Sequence, residues 1–88
     1  MIYTAHAQAR GQQRSISADA VAALIAYGER KRHRGADVYF LNKRARSRAQ
    51  AALGDSYRRL EKKFNSYIVV ADDGAIITMG RRYTRLKF

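Results

Sequence analysis

Three residues near the start of the chain have types and a spacing that suit phosphate chemistry. His6, Arg10 and Arg14 recur every four residues, which on a helix places them in one stripe with about 6 Å of axial rise between neighbours. Guanidinium groups bind a phosphate through paired hydrogen bonds, and an imidazole exchanges protons near neutral pH. The same spacing also fits the solvated face of an amphipathic helix, so both interpretations stand.

A second candidate is the basic run Arg30–Arg34, in which arginine alternates with lysine or histidine. In a strand this alternation places the three arginines on one face, with Lys31 and His33 on the other. Together with the cations of residues 43–48, the run predicts a continuous basic stripe for a nucleic-acid backbone. The alternative is a charged sheet edge that resists aggregation.

The C-terminal residues add a candidate of another kind. Tyr83 lies beside Arg82 and outside the apolar runs, and an aromatic ring among cations can stack on an unpaired base. The candidate nucleic-acid-binding residues of the whole chain are Arg30, Lys31, Arg32, Arg34, Arg44, Arg48, Arg81 and Arg82.

The charge balance supports a polyanionic partner. The 88 residues contain 18 Lys and Arg but only 7 Asp and Glu, which gives a net charge of +11. Self-repulsion on this scale opposes compaction, and a nucleic acid or an acidic protein would relieve it.

Several kinds of chemistry are excluded or disfavoured by composition. The chain has no Cys and therefore no thiol nucleophile, disulfide or thiolate metal site. The two histidines lie far apart and the few acidic residues are scattered, so we expect no metal and no cofactor. No apolar run approaches the roughly 20 residues of a membrane span and no signal-peptide pattern is present; we therefore expect a cytoplasmic protein without membrane association.

Capping residues and apolar spacing predict four helices. The first covers Thr4–Arg14, and the second follows an N-cap at Ser17 and stops at Gly28. A third helix opens at Asn42 and ends at the glycine of position 54, after which Asp55 is expected to cap a short fourth helix.

Two β-hairpins complete the prediction. The first joins the basic run to a strand over Asp37–Leu41 through a turn at Arg34 and Gly35. The second joins Tyr67–Ala71 to Ala75–Met79 through a two-residue Asp-Gly loop, which would place Val70 opposite Ile77 and Ile68 opposite Met79. Because both faces of the second hairpin are apolar, we expect its strands to be central; residues 80–88 are either a further strand or a basic tail.

The predicted architecture is a single α+β domain over residues 1–88. An antiparallel sheet of about four strands is packed by two N-terminal helices and a helical insertion.

Residues 6–17 resemble the opening of a small bacterial domain family of unknown function. That family begins with H-x-x-x-R-x-x-x-R-G-I-S before a helix ending in Gly, and this chain has Ser15 where the family has Gly. The segments Gly35–Leu41 and Asp73–Thr78 resemble later parts of the family in the same order. The family is more distantly similar to RelE/ParE-like toxins, including the BrnT type, and this similarity implies a compact α+β fold, metal-free RNA cleavage and an acidic antitoxin partner.

The first functional hypothesis is therefore a toxin-like, RNA-binding protein of a toxin–antitoxin pair that acts as a metal-independent endoribonuclease on RNA or at the ribosome. The candidate catalytic residues are His6 for acid–base work, Arg10 and Arg14 on the phosphate, and Tyr83 against a base. The alternatives are a non-catalytic nucleic-acid-binding module and a basic interaction protein with an acidic partner chain. A homo-oligomer is left open.

Overall fold

A computed structural model describes residues 2–13 and 16–81 of the chain, with the side chain of Arg81 outside this description. The elements, in chain order, are the helices α1 (Ala5–Gln13) and α2 (Ala18–Tyr27), the strands β1 (Glu29–His33) and β2 (Ala36–Phe40), the helices α3 (Lys43–Leu53) and α4 (Asp55–Leu60), a 3₁₀ turn (Glu61–Lys63), and the strands β3 (Ser66–Val70) and β4 (Ile76–Arg81). The α+β prediction, with two N-terminal helices and a helical insertion, is confirmed.

The four strands form one antiparallel sheet in the order β1-β2-β3-β4. The basic strand β1 pairs only with β2 among the described strands, so its predicted place at a sheet edge is confirmed. Arg34 and Gly35 join the two strands with φ of 50° and 79°. These left-handed values are typical of a type I′ turn, which matches the twist of a tight hairpin.

The second hairpin differs from its prediction by one residue on β4. Ile68 faces Met79 as predicted, but Val70 faces Ile76 instead of Ile77, with a register shift between Val69 and Val70. The Ala71 amide donates to the Ala75 carbonyl at 2.9 Å, which leaves residues 72–74 as the loop, and Gly74 has a φ of 88°. The loop is therefore a three-residue connection with a left-handed glycine, and the two-residue prediction is wrong.

The central position predicted for both strands of this hairpin holds only for β3. Within the described residues β4 is an outer strand, and its first residue, Ile76, makes a parallel bridge to Tyr3. The Thr4 hydroxyl also donates to the Ile77 carbonyl at 2.8 Å. The segment before α1 therefore covers the start of the β4 edge.

The helices pack on the sheet face that carries Tyr39, Ile68 and Met79, which lie opposite one another across β2, β3 and β4. Helix α1 lies on β4, where a Cβ on Gly11 would come within 3.1 Å of the Met79 sulfur. Helix α2 lies on β2 and β3, and α3 packs on α2. Met79 and Ile68 are almost fully buried, as expected for one modest core.

Side-chain caps begin three helices as predicted. Thr4, Ser17 and Asn42 each accept a hydrogen bond from the backbone amide three residues later, at 3.1, 3.2 and 2.8 Å. Asp55 does not cap α4; it is the first residue of that helix, and Gly54 occupies the N-cap position without a side-chain bond.

Gly28 follows α2 in an extended conformation with φ of −74°, not in the left-handed conformation common at helix ends. Its lack of a side chain is needed for another reason. A Cβ there would lie 2.3 Å from the Leu24 carbonyl oxygen and 2.8 Å from the Phe40 carbonyl oxygen. The end of α2 and the end of β2 therefore approach each other closely at this glycine.

Candidate nucleic-acid interface

A cavity of about 440 Å³ opens where β1, the end of β2 and the start of α3 meet. We call it the basic cavity. Its lining residues are Glu29, Lys31, Phe40, Asn42, Lys43 and Arg44.

Strand register and helix capping bring the three cations of the basic cavity together. Lys31 faces Val38 in the β1–β2 pair, on the sheet face opposite the one that packs the helices. Asn42 caps α3 directly after β2, so Lys43 and Arg44 fall in the first turn of that helix. The hairpin and the short β2–α3 connection therefore place cations from two elements around one concave surface.

The first turn of α3 is electrostatically unusual. It contains Lys43 and Arg44 and no acidic residue, although the partial positive charge at a helix N-terminus favours carboxylates there. Such cations lower the stability of the helix by a few tenths of a kcal/mol each in exposed positions. A bound anion would remove this unfavourable term.

The one carboxylate in the basic cavity is already paired. The Arg48 guanidinium donates to Glu29 Oε1 at 3.3 Å and to the Tyr27 carbonyl at 3.2 Å. Lys31, Lys43 and Arg44 are exposed and form no ion pair within residues 2–13 and 16–81. The cavity therefore presents three uncompensated positive charges.

Arg32, a predicted nucleic-acid ligand, is held by two carboxylates instead. Its guanidinium donates to both oxygens of Asp72, at 2.5 and 3.0 Å, and to Asp37 Oδ1 at 3.4 Å. The hydrogen bonds and charge of Asp72 raise the pKa of Arg32, and the same guanidinium lowers the pKa of Asp72. Arg32 therefore joins β1 to the β3–β4 loop, and Arg48 likewise ties α3 to the α2–β1 junction.

The predicted stripe is not continuous along β1. Arg30 faces Tyr39 and so lies on the helix-bearing side of the sheet, while Lys31 lies on the other side. Arg34 belongs to the left-handed turn at the far end of the strand. Of the predicted nucleic-acid residues, the structure brings Lys31 and Arg44 together at the basic cavity.

His6 and Arg10 lie at the opposite end of the sheet. Both are on α1, where His6 is exposed and Arg10 is half-buried, and α1 packs on β4. Strand spacing of about 4.8 Å puts β4 roughly 14 Å from β1 across the sheet. Neither residue lines the basic cavity or the two cavities beside the helices.

The other predicted C-terminal and catalytic residues fall at or beyond the limits of the described structure. Arg81 ends β4 opposite Ser66, and only its backbone is described. Arg14, Arg82 and Tyr83 lie outside the described residues. The prediction of a joint catalytic set with His6 remains a prediction.

Three residues line the basic cavity without having been predicted as site residues: Glu29, Phe40 and Asn42. Lys43 belonged to the predicted stripe but not to the residue-level prediction. Asn42 predicts where α3 begins, and the register of the first hairpin predicts that Lys31 lies near the end of β2. These two sequence signals together could have placed Lys43 near Lys31.

Neither a metal site nor a membrane span is found in the part of the chain that the structure describes. No group of three or more His, Asp or Glu residues there could hold a metal ion. None of the described helices combines the length and apolar composition that crossing a bilayer requires.

No family model matches this chain, and comparisons with curated proteins and with solved structures found no match either.

Proposed function

We propose that this protein binds nucleic acid, with RNA as the expected class, by holding backbone phosphates at the basic cavity. The observation that carries the proposal is the grouping of Lys31, Lys43 and Arg44 around one concave surface whose single carboxylate is paired with Arg48. Phosphate neutralisation by such cations supplies most sequence-independent affinity for nucleic acid.

The geometry supports binding more directly than cleavage. The lining of the basic cavity contains no histidine, and its one carboxylate, Glu29, is paired with Arg48. His6 lies at the other end of the sheet. Endoribonuclease activity of a toxin–antitoxin pair, and the RelE/ParE-like relationship behind it, therefore rest on α1 and on the sequence resemblance. They are tested separately below.

The binding proposal is tested by salt dependence. A labelled single-stranded RNA is titrated with the wild type and with the triple variant Lys31→Gln, Lys43→Gln and Arg44→Gln, and fluorescence anisotropy is recorded over a range of salt concentrations. Each lost phosphate contact lowers the log–log salt slope by about 0.7 on single strands. We therefore expect the slope of the triple variant to be smaller by about 2.

The chain offers a matched control. The triple variant Arg58→Gln, Lys62→Gln and Lys63→Gln removes the same residue types and the same charge from α4 and the following 3₁₀ turn. The proposal expects this control to keep nearly the wild-type slope. An equal decrease in the salt slope for the two triple variants, or a flat slope for the wild type, would show that the basic cavity is not an RNA site.

Cleavage is tested with His6→Ala. Controlled expression of the wild type and the variant, with growth and RNA integrity read out together, covers substrates that are cut only during translation. Loss of cleavage in His6→Ala with intact RNA binding would support the enzyme hypothesis. If the wild type binds RNA but does not cleave it, the result would support a non-catalytic nucleic-acid-binding module.

A further inference from the structure

The sheet face opposite the helices, here called the outer face, carries a tyrosine beside the basic cavity. Tyr67 precedes the core residue Ile68 in β3, so strand alternation turns it to the same side of the sheet as Lys31. It pairs with Phe40, which lines the basic cavity, and the Cβ atoms of such cross-strand neighbours are about 5 Å apart. An aromatic side chain therefore adjoins the surface at which phosphates are proposed to bind.

Core packing does not account for Tyr67. On the other face of the sheet Tyr39 packs against the hydrophobic core cluster, whereas Tyr67 is neither in that cluster nor among the half-buried side chains packed on it. Phe40, its neighbour on the outer face, is only 7% exposed and has too little free surface for a ligand. Tyr67 is half-buried, so among the described residues it is the aromatic side chain of the outer face that a ligand can reach.

Gly80 leaves the space in which the Tyr67 ring lies. A Cβ on Gly80 would come within 2.8 Å of Tyr67 Oη and 2.9 Å of both Cζ and Cε1. Because these three bonded atoms are almost equidistant from that point, the point lies over the face of the ring and not at its edge. The ring therefore leans from β3 over β4, with one face towards Gly80 and the other face away from it.

We propose that Tyr67 stacks on a base of single-stranded RNA whose phosphates are bound at the basic cavity, an inference that rests on the proposed function. Tyr67 is two strands from β1, about 10 Å across the sheet, which is about three nucleotides at the 3.4 Å rise of a stacked strand. The base and the phosphates therefore belong to neighbouring nucleotides of one strand. Bases within a duplex already stack on one another, so Tyr67 adds affinity for single strands only.

The other role for a ring in this position is to shield the glycine backbone of β4 from solvent. A leucine would also cover Gly80 but would offer no aromatic face, so Tyr67→Leu separates the two roles, and Tyr67→Phe keeps the ring. Tyr39→Leu is the matched control. Tyr39 is also a half-buried tyrosine of an inner strand, and it lies opposite Arg30 on the helix-bearing face.

The test compares three labelled ligands by fluorescence anisotropy: a single-stranded RNA, the same RNA annealed to its complement, and a strand of equal length without bases. We expect the wild type to bind the ordinary single strand about tenfold more tightly than the strand without bases, as one stacked base would provide. Tyr67→Leu should lose this preference, while Tyr67→Phe and Tyr39→Leu should retain it to within about twofold. Duplex binding and the salt slope should be unchanged in Tyr67→Leu, because no phosphate contact is removed.

The outcomes separate this inference from the proposed function. A flat salt slope for the wild type would refute phosphate binding and the stacking of Tyr67 with it. A wild type that is salt-dependent but binds the strands with and without bases equally would overturn the stacking alone, and this comparison needs no variant to fold. A Tyr67→Leu variant that melts at a lower temperature but keeps the full preference for bases would also overturn it and would assign Tyr67 the shielding role.

Discussion

Replacing Gly28 with alanine should destabilise the fold strongly, although the backbone dihedral angles of Gly28 alone would predict little effect. The backbone of Gly28 is ordinary, with φ of −74°, so alanine has no intrinsic difficulty there. The added Cβ would nevertheless meet two backbone oxygens, of Leu24 at 2.3 Å and of Phe40 at 2.8 Å, well inside the roughly 3.5 Å at which non-bonded atoms attract. Since neither oxygen can rotate away, α2 and β2 must separate, and we expect a loss of about 3 kcal/mol.

Gly54→Ala is the matched comparison. Gly54 has φ of 56° and ψ of −125°, a combination outside the left-handed helical region that non-glycine residues rarely adopt. A Cβ there would have no atom within 4 Å, so only backbone strain, of about 2 kcal/mol, is expected. Thermal unfolding followed by circular dichroism should show losses of about 12–24 °C for Gly28→Ala and about 8–16 °C for Gly54→Ala, since 1 kcal/mol shifts Tm by about 4–8 °C in a domain of this size. A smaller loss at Gly28 than at Gly54 would refute the reasoning.

Two further predictions concern single side chains. Asp72→Asn removes the main partner of Arg32; because the pKa of Asp72 is lowered in the fold, its contribution is present above the unfolded carboxyl pKa and is lost as the pH falls through the folded pKa. The difference in urea midpoint between wild type and Asp72→Asn should therefore shrink from about pH 6 to about pH 3, and an unchanged difference would contradict this. Asn42→Ala should lower the free energy of unfolding in urea by about 1 kcal/mol, whereas Asn42→Asp, which keeps a capping oxygen, should retain most of the stability; equal losses in the two variants would contradict the cap.

Local features of this fold could be predicted because their causes are local. Thr4, Ser17 and Asn42 cap helices through amides only three residues away, and Arg34 with Gly35 joins adjacent strands. The β3–β4 register could not be predicted, because Ile76 and Ile77 are both apolar. The choice between them depends on the core, where Ile76 is fully buried while Ile77 is 37% exposed, and on contacts of Ile76 with residues before α1.

In the candidate site, too, local features could be predicted from the sequence and tertiary contacts could not. The excess of cations in β1 and at the start of α3 is visible in the sequence, but their partners are not. Arg32 binds Asp72, 40 positions away. Arg48 of α3 binds Glu29 at the start of β1. Which cations remain free for a phosphate is therefore a property of tertiary structure, and residue type alone does not separate Arg32 from Lys31.

The packing of α1 on β4 has a consequence for synthesis of the protein. Thr4 bonds to Ile77, 73 positions later in the chain, and Gly11 lies against Met79. During translation α1 is made before β4, so it has no strand on which to dock until residues 76–81 have been synthesised. Helix α2 and the β1–β2 hairpin, by contrast, can assemble while synthesis continues, so α1 is among the last elements to find its native neighbours.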